Sequence, residues 1–407
     1  LMLAALQGRL PPNPFLPVTG WLNAELWGDW SEAGGHSVQG VADLADARLV
    51  NDHQDLWLDR VNTRFRWQFH NKKHWDLNLA DFLYDGDGEQ AWTAPRISMA
   101  RNTADGLGLW ISADWLPLGV PLRLTRDVMS IYGTSWPAFL PGSADGTVTE
   151  FDLVLDAAWG SELARGEVQG GGVADWGRWP DLQGLEGQVA LGRNTGRLDL
   201  HGEDVLISWP GMFREPVSMT VPACTVNFDW GRRWQVGVAD CSLENADLAA
   251  HGEAVISGNE GKPSIDLNVM VSRGAVGQLD PYWPEAVMKE PVKEWLRKGL
   301  VAGEADYGRV SIRGDMDDWP FRDGQGRFEA MARVNGGRID YLEGWPDASD
   351  VNAVARFVNA SMDVQGKIGE IGGAAVREVR AGIADFAQPE LIIDYAADSE
   401  IPILLGF

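Results

Sequence analysis

The 407-residue sequence contains no run of eighteen apolar residues, so nothing in it spans a membrane as a helix. Positive charge is short: 34 Lys and Arg stand against 59 Asp and Glu, giving a net charge of −25. Lysine is scarce, and arginine supplies most of the cations. That balance argues against a nucleic-acid groove or a polybasic membrane patch, and no nucleic acid is expected as a partner. Catalytic signatures are missing as well. The sequence has no Gly-x-Ser-x-Gly elbow, Walker loop, Rossmann fingerprint or His-Glu-x-x-His pair, so it reads as no enzyme and implies no cofactor. The opening LMLAAL is too short for a secretory signal and lacks its basic flank. With the apolar run IPILLGF at the other end, both termini look cut, and the chain is expected to be a fragment of something longer.

What the sequence has in excess is Trp, at 20, and Gly, at 48 without a Gly-X-Y period. The first points to broad, stiff apolar surface and the second to turns and bulges. An apolar fraction of 45% excludes wholesale disorder, and the length exceeds one ordinary core, so several domains or a repeating architecture are expected.

Period-2 alternation dominates. In RFRWQFHNKKHWDLNL a turn at Asn71-Lys72-Lys73 sets Phe69 opposite Trp75, Trp67 opposite Leu77 and Phe65 opposite Leu79, all on one side. In GQVALGRNTGRLDLHG a turn around Asn194-Thr195 sets Leu191 against Leu198 and Val189 against Leu200. In CTVNFDWGRRWQVGV the same logic pairs Trp230 with Trp234, Phe228 with Val236 and Val226 with Val238. Single strands with one apolar face carry Phe151, Leu153 and Leu155; Ile265, Leu267, Val269 and Val271; and Phe328, Ala330, Ala332 and Val334. Val310 and Ile312 end another. Residues 198–208 and 248–257 resemble each other, a hint of internal duplication.

One segment departs from this period. PEAVMKEPVKEWLRKGLV places Pro291 at a first helical position and Gly299 as a stop, predicting a short amphipathic helix near 285–298 with Val292, Trp295 and Leu296 on one face. The predicted class is therefore mainly all-β: an elongated, twisted antiparallel sheet. A greasy face maintained over so many strands must be covered by a second layer, closed in a barrel, or curled into a U-shaped apolar groove, and a groove needs an occupant.

Other chemistry reads weakly. His70 and His74 flank a hairpin turn on its polar side with Asp76 nearby, and in this reading they hold no metal. Cys224 and Cys241 flank one hairpin, but strict register puts Cys224 opposite Asp240, so a disulfide would require a bulge. The aspartate-rich stretch 312–330 fails as a calcium loop, because Trp319 and Pro320 stand where oxygen ligands or the turn glycine belong. Its Arg313-Gly314-Asp315 is a short string with a high chance rate. The stretch reads as two turns with Trp319-Pro320-Phe321 packed back on the sheet. Tryptophans beside turns, as in DWGRWP, SWP and GWP, either plug sheet edges or stack on sugars.

The run from Val292 to Gly366 carries, in order, a helix ending in Trp-Leu, a Gly-rich strand, RGDMDDWPF, GRFEA, a Tyr followed by WP, and FVNASMDVQG. This series resembles the AsmA-like proteins of Gram-negative envelopes, in the YhdP branch. Upstream, Leu198, Trp209, Pro210 and Phe213 stand where the same family has them, whereas 1–140 resembles it only weakly. The resemblance implies a repeating β-groove in three stretches: 1–140, 141–282, and 283–407 with its helix. It also implies bridge-like movement of phospholipid through the periplasm, between inner and outer membrane. Partners would be phospholipid, plus membranes or membrane proteins engaged by parts outside this fragment; the full-length protein would be anchored in the inner membrane, but that anchor cannot be carried over to this chain. The apolar residues named in the hairpins and strands above, from Phe65 to Val334, would line the groove. The alternatives from the residues alone are an envelope scaffold, a carbohydrate-binding β-module using its edge tryptophans, or a polysaccharide-degrading β-protein.

Overall fold

In the computed structural model, the structure describes residues 19–30, 35–50, 55–71, 74–86, 91–103, 106–120, 122–123, 126, 141–156, 161–177, 179–230, 233–258, 263–285, 288–341, 344–388 and 390–398. The chain divides into two compact units, residues 1–177 with 181–196, and residues 178–180 with 197–407. Among the described residues the fold is mainly all-β and antiparallel, with one short α-helix.

The first unit contains β1 (Thr19–Trp30), β2 (His36–Val50), β3 (Asp55–Asn71), β4 (His74–Gly86), β5 (Trp92–Asn102), β6 (Leu107–Pro117), β7 (Ser143–Asp156), β8 (Ser161–Ala174) and β9 (Asp181–Leu191). Each strand pairs antiparallel with the next in chain order. The β3–β4 register matches the hydrophobic pattern, with Phe69, Trp67 and Phe65 opposite Trp75, Leu77 and Leu79. Of the turn between them, Lys72 and Lys73 lie outside the described residues. The turn after β9 closes where the Gly192 amide donates to the Thr195 carbonyl at 2.7 Å.

The second unit carries most of β10 (Thr195–Ser208), then β11 (Val217–Trp230), β12 (Trp234–Glu244), β13 (Leu248–Gly258) and β14 (Ser264–Ala275). A helix, α1 (Glu290–Gly299), leads into β15 (Leu300–Asp315), β16 (Arg327–Ile339), β17 (Ala348–Val358), β18 (Ser361–Ile371), β19 (Ala374–Ile383) and β20 (Leu391–Asp398). Trp230 pairs with Trp234, Phe228 with Val236 and Val226 with Val238, as the alternation requires. Helix α1 starts one residue before Pro291, with Lys289 as its cap, and ends with Arg297 and Lys298 in its last turn. Its apolar face is not sealed: Val292 and Trp295 are exposed, and the Trp295 indole N–H donates to the Tyr341 carbonyl at 3.3 Å.

Bulges set the bend of these strands. Register shifts place one extra residue in β4, β7, β8, β12 and β16. At each shift a residue adopts left-handed φ: Asp81, Glu150, Gly170, Asp240 and Gly336. A bulge kinks its strand and raises local twist, so bends repeated along neighbouring strands curl each unit's sheet. The buried side chains collect beside these bends. In the first unit Ala94, Ile97, Ala113, Leu116, Val148 and Val168 pack together; in the second, Ala348, Val351, Ile368 and Val376 do.

The stretch 312–330 is local architecture. The Asp315 carboxylate accepts from the Asp317 amide at 3.0 Å and starts a 3₁₀ turn at Met316–Asp318. Phe321 is buried, and the Trp319 ring stands edge-on to Phe321 and Phe328 at 5.5 and 5.3 Å.

Candidate functional site: the apolar sheet faces

Directly opposed residues in neighbouring strands share a face, so strand register traces rows across a sheet. In the first unit one row runs Val38, Trp67, Leu77, Met99, Ile111, Leu153, Ala164, Leu191. The next runs Leu26, Gly40, Phe65, Leu79, Ile97, Ala113, Phe151. Leu155 faces Leu109, and Val189 faces Gly166.

In the second unit the rows are as clean. One is Val226, Val238, Ala254, Leu267, Ile312, Phe328. Another is Gly252, Val269, Val310, Ala330, Phe357, Met362, Ile383. A third is Leu243, Ala250, Val271, Gly308, Ala332, Ala355, Val364, Ala381, Ile393. Val334 stands between Ala305 and Ala353, and Ile265 next to Ile256. No charged residue interrupts any of these rows.

Most row residues are half-buried, neither sealed in a core nor free in water. Trp67 keeps 42% of its surface. Leu198 and Leu200 are also half-buried, and the Trp230 side chain lies outside the described residues. Sequence reasoning missed the contributions of β5, β6, β17, β18 and β19 to these rows. Met99, Ile111, Met362 and Val364 alternate correctly and could have been found; Ala332, Ala355 and Ala381 carry too little hydrophobic signal to be noticed.

The opposite faces are polar and self-paired. A first-unit row runs Gln39, Arg66, Asn78, Ser98, Ser112, Asp152, Arg165. Burial works to raise the Asp152 carboxyl, but Arg165 at 2.8 Å and the Trp110 indole outweigh it and hold it below the usual carboxylate range. In the second unit Arg327, with Arg356 on the other side, lowers the Glu329 carboxyl. Each unit thus presents one mainly oily and one ionic face, and the row His36, Phe69, Trp75, Arg101 brings ionisable groups to one end of the first unit's oily face.

Cys224 and Cys241 form a disulfide, with Cα atoms 3.9 Å apart. The bulge at Asp240 turns the strand so that Cys241 reaches its partner. On the polar side of the β3–β4 hairpin the His70 and His74 rings lie 4.3 Å apart and His70 Nε2 sits 3.2 Å from Asp76 Oδ2. Among the described residues no helix is long and apolar enough to cross a membrane.

Comparison with known proteins places this geometry in context. The family model described as YhdP protein matches residues 8–406. A curated relative, the intermembrane phospholipid transporter YhdP of Escherichia coli (strain K12), is 20% identical over 267 residues, which is 64% of this chain and 21% of that protein. The chain therefore corresponds to a minor part of that relative's length. No solved structure matches.

Proposed function

The chain belongs to the YhdP family, and from that premise and the apolar rows we propose that it is a lipid-transport segment whose oily faces hold phospholipid acyl chains. The observation that supports this most is the set of unbroken apolar rows left half-buried in both units. A sheet face of this kind in water is costly at roughly 25 cal/mol per Å² of apolar area, and an acyl chain laid on it removes that cost from both partners. Each methylene so covered is worth about 0.8 kcal/mol, so the face substitutes for the bilayer interior.

Within each unit the apolar residues named above, among those from Phe65 to Val334, line the acyl path, and head groups stay at its wet edge. In this reading movement is one-dimensional diffusion of the acyl chains along these rows. The site of action is the periplasm of a Gram-negative envelope, where oxidising conditions suit the Cys224–Cys241 bond. The cargo is phospholipid moving between the two membranes, and contacts with membranes or membrane proteins belong to other parts of the full protein.

Native mass spectrometry of gently purified protein tests this. Co-purifying phospholipid is expected, and Leu77→Arg or Leu267→Arg should abolish it, because an arginine on the oily face brings a hydrated charge into the acyl path. Circular dichroism checks that both variants fold. If they fold and still carry lipid as the parent does, the reading fails; a glycan-array signal without lipid would instead favour a carbohydrate-binding module.

A further inference from the structure

We infer that His70, His74 and Asp76, at the β3–β4 turn, form a binding site for a divalent transition-metal ion of the zinc class. One ligand atom from each residue lies within 4.8 Å of the other two. Two imidazoles and one carboxylate are the donor set that borderline ions prefer; calcium and magnesium take oxygen ligands almost alone.

The distances fit the ion. With metal–ligand bonds of about 2.0–2.1 Å, two ligand atoms of a tetrahedral zinc stand roughly 3.4 Å apart. His70 Nε2 and Asp76 Oδ2 are already 3.2 Å apart. The His74 ring, tilted at 34° to His70 with centroids 4.3 Å apart, brings its ligand atom within 4.8 Å of both. The backbone that holds them is fixed by the other face: Phe69 pairs with Trp75 and Trp67 with Leu77, and alternation then directs His70, His74 and Asp76 to the wet side. His70 is exposed and the other two are half-buried, so an ion has an entry path and a solvent molecule can complete the fourth position.

The bound ion would tie the two strand ends across the turn, on the face away from the acyl path, so the site is independent of the lipid reading.

The test uses tag-free protein and zinc chloride, in competition with a chromophoric chelator. One ion per chain is expected, with affinity falling at least tenfold in His74→Gln and becoming undetectable in the double variant H70A/H74A. Zinc should also raise the melting temperature of the parent and not of the double variant. His74→Gln leaves the His70–Asp76 pair in place, and circular dichroism checks that both variants fold. Equal zinc uptake by the parent and both variants, or no uptake by the folded parent at micromolar zinc, overturns the proposal.

Discussion

The two units solve one problem with different side chains. The first builds its oily face from large ones: Trp67, Phe65, Leu77, Met99, Ile111 and Phe151 stand in adjacent rows, and the rings of Phe82 and Trp115 lie 5.2 and 6.5 Å from Trp92. The second mixes large ones, such as Leu267, Ile312, Phe328 and Phe357, with a run of smaller ones, Gly308, Ala332, Ala355, Val364 and Ala381, in a single row. It compensates with a disulfide and with aromatic packing around Phe321 at the strand ends. Period 2 is common to both; the volume that fills it is not. The first unit is therefore expected to tolerate trimming of its exposed aromatics, and the second to depend on a few fixed points.

The sharpest break of that contrast is Phe321→Ala. It empties a site whose ring is 1% exposed, and should cost about 3–5 kcal/mol in denaturant unfolding. Trp67→Ala, on the open face of the first unit, should cost less than half as much, and equal losses would refute the distinction. Removing the disulfide with Cys224→Ala and Cys241→Ala frees a loop of 17 residues and should cost about 3 kcal/mol. Hydrogen exchange should locate that loss in β11 to β13 and leave β3 to β6 as protected as before. Uniform deprotection of both units would contradict it.

Gly366→Val probes the close approach within a small-residue row. A Cβ at Gly366 would lie 2.5 Å from the Ala353 Cβ and 2.5 Å from the Asn352 carbonyl oxygen. Such overpacking should lower stability by about 1–3 kcal/mol, seen as a shifted midpoint in urea.

The smallest effect belongs to the ionic face. The folded Glu329 carboxyl sits below its unfolded value, so its contribution is present above the ordinary value of about 4.3 and is lost as pH falls through the folded one. Glu329→Gln should cost at most about 1 kcal/mol at neutral pH and flatten the acid side of the stability profile. An unchanged acid limb would show that Arg327 and Arg356 do not act through it.

Hairpin register was legible because every apolar residue of Phe65–Leu79 and Val226–Val238 must land on one side, and only one pairing achieves that. The helix was legible from Pro291 and its basic last turn, although not the exposure of Trp295, which depends on what packs nearby. The Cys224–Cys241 bond was not: strict alternation separates the sulfurs, and the bulge at Asp240 that joins them has no sequence signature beyond an aspartate. The clustering of His70, His74 and Asp76 was half visible, since the spacing put them on one side but not within 4.8 Å.

By itself the sequence determined the strand class, the pairing of its best hairpins and the division of each strand into an oily and an ionic side, because a period of two admits no other distribution of its side chains. Tertiary structure decided where the strands bend and how deeply each apolar residue is covered. Those depend on bulges at Asp81, Glu150, Gly170, Asp240 and Gly336, where one extra residue on one strand bends it and shifts the register against its partner.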